Sequence, residues 1–549
     1  MVGHMQDWFN SLDHDMPELI ARAAADYGGD AFVVGEDGTR LSFLALEQSA
    51  RAGAAALVAE GVAHGDRVAI WAPNSAEWIV AACAAEMIGA IMVPINTRFR
   101  GAEAAYILEK SGAKLLCTVS SFLGNDYVAM LRSGKGKPAG ALPVAGLPSL
   151  RSILLLDQGV DRAGVRNWTD FVSGDASTEA ELNARIEAVT PGTICDILFT
   201  SGTTGNPKGA MHDHGQALWM VGIWNRSNDL RRGDRALIVN PFFHSFGYRS
   251  GWVSALLAGM MAYPVATFEA GAVMRRIEQE RITVLMGPPT LFSSILDHPE
   301  RGRFDLSSLR VGHTGSSNVP VELIARAREE LGFALFLTSY GLTEATALVS
   351  VCYLDDSFDT IAHTVGYKLP GTELRIAGPD GGEAPPGESG ELLVRGPNVM
   401  KGYFEEPEAT EAAIDADGWL HTGDVGVIGP EGRVRILDRL KDVVIVGGFN
   451  AYPAEIENAL RQHPAIADVA IIALPDPRMG EVCGACVIPR PGMSLTLGEL
   501  SDWSRERLAN FKVPRHLFLL DDFPRTPLGK IQKFKLRQQV LAGNPSAAG

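Results

Sequence analysis

Residues 197–211 read ILFTSGTTGNPKGAM. The apolar run ending at Thr200 has the character of a buried strand. It leads into a segment with glycines at 202, 205 and 209 (Gly202, Gly205, Gly209), hydroxyls at Thr200, Ser201, Thr203 and Thr204, and a cation at Lys208. Glycine lets backbone amides come close to an anion, and amides and hydroxyls together donate to phosphate oxygens. The lysine adds one mobile point charge. A Walker A loop needs GxxxxGK[ST], whereas Gly209 is followed by Ala210 and Met211. A Gly/Ser/Thr-rich surface turn is the bland alternative. The strand in front and the lysine behind Pro207 favour a phosphate-binding loop at a strand end.

Outward from this loop the chain alternates between helical and strand patterns. Residues 44–59 and 75–88 are helical, while GVAHGDRVAIWAP (61–73), GAIMVPIN (89–96), KLLCTVS (114–120) and SILLLDQ (152–158) read as strands. DRALIVNP (234–241), ITVLMGPP (282–289) and ALFLTSYG (334–341) continue the alternation, which predicts α/β units on parallel sheet. The Gly- and Pro-rich stretch 133–148 reads as an exposed loop. Between 363 and 437 short strands punctuated by PDGGEAPPGESG and DADGW predict a small antiparallel, barrel-like part. A separate α+β pattern begins near DRLKDVVIVGG. The expectation is a large N-terminal domain over 1–437 and a small mobile C-terminal domain over 438–549, since 549 residues exceed one ordinary core.

A net charge of −16 argues against broad contact with nucleic acid or anionic membrane, though not against a locally gripped polyphosphate. No apolar run reaches the roughly 20 residues that span a bilayer. The opening MVGHMQDWFN has neither the basic nor the apolar region of a secretion signal. Six scattered cysteines fit a reducing cytoplasm. Cys483 and Cys486 form a CxxC, but EVCGACVIP reads as a buried strand and no second pair completes a zinc site, so both are expected in the core.

TSGTTGNPKG resembles the phosphate loop of the adenylate-forming superfamily: acyl-CoA synthetases, adenylation domains of peptide synthetases and firefly-type luciferases. The resemblance runs from TRLSFLALEQ near Thr39 to LGKIQK near Lys533. NPFFHSFGYRSGW (240–252) is similar to the aromatic–His segment before the acyl pocket, which implies that His244 gates carboxylate entry. VGHTGSSNVP (311–320) implies that Gly315, Ser316 and Ser317 cover one face of adenine. LTSYGLTEAT (337–346) matches the YGxTE motif, which implies Tyr340 on the other face, Ser339 and Gly341 beside the nucleotide, Thr343 on a phosphate, and Glu344 holding Mg²⁺ with Thr200. GWLHTGDVG (418–426) implies Asp424 on the ribose hydroxyls, joined by Arg439. In GRVRILDRLKDVVIVGGFNAYPAEIE (432–457) the resemblance implies a hinge at Asp438 and a pantetheine path along Gly447, Gly448 and Phe449. FPRTPLGKIQK (523–533) implies that Lys530 bridges the acyl carboxylate and the α-phosphate, while Lys533 and Lys535 read as solvated tail residues.

Taken together, the resemblance implies an ATP-dependent acid–CoA ligase using ATP, Mg²⁺ and CoA. A carboxylate becomes an acyl-adenylate with loss of pyrophosphate, and the acyl group then passes to a thiol. A carrier-protein thiol or an amine as acceptor stays open, as does a non-catalytic acyl-adenylate binder. A serine hydrolase would want GxSxG, which is absent from the sequence. The acyl pocket is expected from Phe246, Gly247, Gly251, Trp252, Gly315, Gly341, Leu342 and Ala345. Arg249 is the one cation nearby that could meet a second carboxylate, so a largely hydrophobic monocarboxylic acid is expected. PFFHSFGY, ITVLMGPPT and FDLSSLR look most like bacterial ligases for fatty acids or steroid-ring fragments. A homodimer is compatible with the sequence and required by nothing in it.

Overall fold

The computed structural model describes residues 11–133, 144, 146–157, 164–174, 176–200, 207–315, 319–378, 381–447, 449–525 and 530–543. Two large sheets dominate. In the first, Arg67–Trp71 lies between Ile91–Pro94 and Leu115–Thr118, with Ser152–Leu155 beyond, all parallel. These strands are near-continuous apolar runs because both faces of a parallel sheet are covered. Their cover includes the Ala-rich helices Phe43–Ala59 and Ala76–Met87, capped by the hydroxyls of Ser42 and Ser75. Strand Ile194–Thr200 joins this sheet parallel to Ile91–Pro94 and then returns as an antiparallel partner, Lys208–Asp213, with Thr200 opposite Lys208. The returning strand KGAMHD was not foreseen, because nothing in it alternates.

The second sheet sets Arg235–Ile238, Val284–Gly287, Val311–Thr314 and Leu335–Tyr340 side by side and parallel. Ligands bind outside the carboxyl ends of parallel strands. Here the segments after Thr200, Ile238, Thr314 and Tyr340, from both sheets, all leave from such ends. The barrel-like part is a four-stranded antiparallel sheet running Glu373–Ala377, Gly390–Arg395, Leu420–Ile428, Val434–Arg439 in chain order. Among the described residues its outer strands do not pair with each other, so it stays open.

The large part is pinned by charges with no solvent contact. Asp196, in the strand Ile194–Thr200, accepts from the Arg249 guanidinium at 2.6 Å and lies 2.8 Å from His212 Nδ1. Burial works against the Asp196 charge, but Arg249 and His212 hold its carboxyl down at about 2. The segment Tyr248–Val253 that carries Arg249 is a π-helical turn.

The small domain wraps two helices, Pro453–Arg461 and Leu497–Arg505, and a last one, Lys533–Leu541, around the long hairpin Ile466–Asp476 and Gly480–Pro489. Cys483 and Cys486 stand three positions apart in that hairpin and therefore face opposite sides of the sheet. Cys483 packs with Ile471 and Val444, Cys486 with Ala470 and Leu536, and burial pushes both thiols up to about 12. Lys533 is not the solvated tail residue the sequence suggested: it pairs with the buried Glu457 at 2.8 Å. Among the described residues no helix is long and apolar enough to cross a membrane.

Replacing Asp196 with asparagine leaves Arg249 buried without its counter-charge. We expect a loss of about 3–5 kcal/mol from the large domain, read as a lowered first transition in denaturant unfolding. A change within error would show that the cluster relaxes and does not pin the fold.

Candidate active site

The carboxyl ends of both sheets and the inner surface of the small domain enclose a cavity of about 1220 Å³. That exceeds the roughly 300–1,000 Å³ of a pocket for one drug-sized ligand. Thr200, Lys208, Thr343 and Glu344 meet on one side. The Thr200 hydroxyl donates to Glu344 Oε1 at 3.4 Å, and the Tyr403 phenol donates to the same oxygen at 3.0 Å. The Lys208 ammonium lies 5.1 Å from the centre of the Tyr403 ring. Residues 201–206, with Ser201, Gly202, Thr203, Thr204 and Gly205, lie outside the described residues, as do Ser316, Ser317 and Gly448.

Opposite stands a second polar cluster. Asp424 and Arg439 are register partners in adjacent strands, and Arg439 Nε lies 2.7 Å from Asp424 Oδ1. The Tyr340 phenol donates to Asp424 Oδ2. Burial pushes the Asp424 carboxyl up, against the pull of Arg439 and Tyr340. A carboxylate offers about four lone-pair sites, so two partners leave it acceptor capacity. Lys530 reaches into this cluster from the small domain; it is open to the water of the cavity yet enclosed by protein. That enclosure, and then Arg439, pulls its ammonium down to about 8.

His244 lines the same space. Its Nδ1 accepts the backbone N–H of Phe246 at 3.2 Å. Burial, then the charge of Lys530, pulls it down to about 4, so near neutral pH the ring is uncharged with its proton on Nε2.

The remaining wall is aromatic. Trp224, Phe246, Ser250, Gly341 and Leu342 line it, with Gly315 and Ser339 at the edge. A Cβ at position 341 would lie 1.9 Å from the Ala347 carbonyl oxygen, so only glycine fits there. Four residues expected in the acyl pocket stand behind this wall. Trp252 is fully buried against Trp78 and Tyr248, Ala345 is in the core with Ala210 and Leu392, and Gly251 abuts Ile238. Gly247 closes on the Asn240 and Pro241 carbonyls, where a Cβ would lie 2.3 Å from each. Phe246 and Ser250 of this segment line the cavity, while the π-helical turn carries Gly251 and Trp252 into the core. Arg249 goes with it and cannot meet a substrate carboxylate while it pairs with Asp196. Tyr403, Trp224 and His313 were missed; Tyr403 and Trp224 lie in elements that no motif marks, and His313 stands inside VGHTGSSNVP (311–320), where the motif drew attention to the residues after it.

Of the residues expected along a pantetheine path, Gly447 and Phe449 do not line the cavity. Phe449 stacks on Phe511 at 5.1 Å and is exposed. Asp438 accepts from the backbone N–H of Ala454 at 2.6 Å, and burial pushes its carboxyl up to about 6.

The profile of the AMP-binding enzyme family matches residues 20–404, and that of the AMP-binding enzyme C-terminal domain matches 455–530. A 3-[(3aS,4S,7aS)-7a-methyl-1,5-dioxo-octahydro-1H-inden-4-yl]propanoyl:CoA ligase of Rhodococcus jostii (strain RHA1) is 44% identical over 95% of this chain and 98% of its own. A feruloyl-CoA synthase of Amycolatopsis sp is 37% identical over 93% and 96%. The crystal structure of an anthranilate CoA ligase in complex with anthranoyl-AMP superposes with a TM-score of 0.85 at 25% identity, covering 97% and 98%. The chain belongs to the AMP-binding enzyme family and is an AMP-forming acid–thiol ligase. ATP and CoA are the substrates that such ligases share with their acid.

Proposed function

We propose that the chain joins a bulky, ring-containing monocarboxylic acid to CoA through its acyl-adenylate, and that the site residues divide the work as follows. The observation that carries this reading is that Lys530, from the small domain, shares one cavity with Arg439, Glu344 and Lys208. ATP lies with its ribose hydroxyls on Asp424, its adenine between Tyr340 and Gly315, and its outer phosphates toward Lys208. Glu344 and Thr200 supply hard oxygen donors. Mg²⁺ keeps several waters and binds mostly through phosphate, so Glu344 with Thr200 would suffice to hold it there, where it would offset negative charge on the pyrophosphate.

A free carboxylate is a weak nucleophile and could transfer its acyl group only by expelling oxide; its oxygen therefore bonds to the α-phosphorus as the bond to pyrophosphate breaks, and the work is positioning and charge neutralisation. His244, uncharged with Nε2–H toward the cavity, donates to an acid oxygen without adding a charge that the buried wall would resist. Lys530 places its cation where the carboxylate oxygen meets the α-phosphorus and charge accumulates. The small domain then swings about Asp438, withdrawing Lys530 and bringing Gly447 and Phe449 to the adenylate for CoA.

Two features support a ring-bearing acid. The wall of Trp224 and Phe246, edge to face at 5.8 Å, suits a broad apolar body. The Rhodococcus relative is named for a bicyclic propanoate. Arg249, tied to Asp196, is not available to a second carboxylate.

A panel of alicyclic, aryl and linear acids, given with ATP, Mg²⁺ and CoA, tests this by mass spectrometry. Acyl-CoA from ring acids, falling by at least about 100-fold in Lys530→Ala, is the expected result. Linear acids turned over in preference would sink the substrate class, and adenylate without thioester would move the acceptor to another thiol or an amine.

Lys530 must be cationic to serve, and its lowered pKa fixes the sign of a pH effect: the cation is present below about 8 and lost above it. We expect kcat/KM for adenylate formation to fall as pH rises through about 8. In Lys530→Arg, whose guanidinium keeps its charge, that limb moves upward. A limb unmoved in the arginine variant would assign the titration elsewhere.

A further inference from the structure

Behind the aromatic wall lies a chain of polar groups that adenylation itself does not use. His313 is fully buried, 4.3 Å from the Trp224 ring and 6.4 Å from that of Phe246. Its Nδ1 lies 2.7 Å from Asn228 Oδ1, and its Nε2 lies 2.8 Å from Ser339 Oγ. Asn228, also fully buried, donates its amide N–H to the Trp224 carbonyl at 2.9 Å.

These contacts set the direction of every proton. Because the Asn228 amide nitrogen must face the Trp224 carbonyl, Asn228 Oδ1 faces His313 and accepts from Nδ1–H. Burial pulls His313 down to about 3, so the ring is neutral and Nε2 keeps its lone pair. Ser339 must then give its one proton to Nε2. Ser339 lines the cavity next to Gly315, so what its oxygen offers the cavity is lone pairs alone.

We propose that Ser339, oriented by Asn228 and His313, is a specificity-determining residue selecting acids that carry a neutral hydrogen-bond donor, a ring hydroxyl, over acids with a ketone at the same position. The proposal rests on the reading above that the Trp224–Phe246 wall takes the acid. A ketone oxygen there faces a serine oxygen, acceptor against acceptor, and leaves both without a partner. A hydroxyl completes the chain. An ammonium would meet the aromatic wall with no carboxylate beside Ser339, which is why the donor is neutral. The Rhodococcus relative is named for a dioxo acid, which makes that acid a keto comparator for the test.

The test uses the full-length protein with ATP, Mg²⁺ and CoA, and matched acids bearing a hydroxyl, a ketone or a methylene at each ring position in turn, on alicyclic and aryl skeletons. At one position the hydroxy acid should exceed the keto acid by roughly 10- to 100-fold in kcat/KM. Ser339→Ala should collapse that ratio through KM for the acid, and Ser339→Thr should retain it. His313→Leu frees the serine proton and should shift the ratio toward the ketone. Equal efficiencies at every position in the unsubstituted protein would overturn the proposal. So would Ser339→Ala raising KM for ATP while the ratio persists, which would give this serine to the nucleotide. If only aryl acids react, the alicyclic part of the preceding reading falls, and the hydroxyl-to-ketone ratio on the aryl skeleton still decides the proposal.

Discussion

Asp196 ties together three segments that chemistry needs in one place. It stands in the strand that delivers the glycine-rich loop, pairs with Arg249 from the segment after His244, and holds His212 of the returning strand. His212 Nε2 in turn meets the Thr343 carbonyl at 2.8 Å, one residue before Glu344. A buried ion cluster is a poor source of net stability, because removing two charges from water costs about what their attraction returns. Its directional bonds define one arrangement. An apolar core would tolerate sliding between the strand at 194–200 and the turn at 248–253; a guanidinium on a carboxylate does not. The register between phosphate loop, acyl wall and Glu344 follows from it.

Charge is similarly local in the cavity. The chain as a whole carries −16, yet Lys208, Arg439, Lys530 and Arg98 all line the space. Cations facing one enclosed volume repel each other: burial is the larger cause of the lowered Lys530 pKa, and the charge of Arg439 adds to it. They are balanced in part by Asp424 and Glu344, each already engaged by a phenol. A polyanion entering this space relieves the repulsion without any overall positive charge on the protein. That is why a negative net charge, which argues against broad nucleic-acid contact, says nothing about nucleotide binding.

The sequence made legible what repeats or is contiguous. Parallel strands showed as apolar runs, helices as Ala-rich periodic stretches, and the site as short motifs in which neighbours in sequence share a ligand. It did not show what depends on rotation or distant packing. Of PFFHSFGYRSGW, Phe246 and Ser250 line the cavity, but Gly251 and Trp252 turn inward through a π-helical step that no residue type announces. Trp252 therefore sits in the core while Trp224, from a helix outside any motif, forms the wall. Lys533 read as a tail residue because its partner Glu457 lies more than seventy positions away. Tyr403 had no signal at all, since a tyrosine after glycine is common and its contact with Glu344 is made across the fold.

The junction between the domains combines both lessons in two consecutive residues. Asp438 is bound inward to the small domain: its carboxylate holds the Ala454 amide at the start of one helix, and burial, moderated by nearby Lys533 at the start of another, sets its charge. Arg439 is bound outward to Asp424 of the large part. Rotation of the small domain would have to leave the first set intact and break the second. The energetics favour that division. The contacts of Asp438 are buried, and stranding a carboxylate there is expensive. The Arg439 side chain is 42% exposed, so water can take over its guanidinium when the pair opens. If the small domain rotates here as proposed, the exposed Arg439–Asp424 pair and the Asp438–Val425 strand pairing are the contacts that have to open, and Lys530 would move with the small domain.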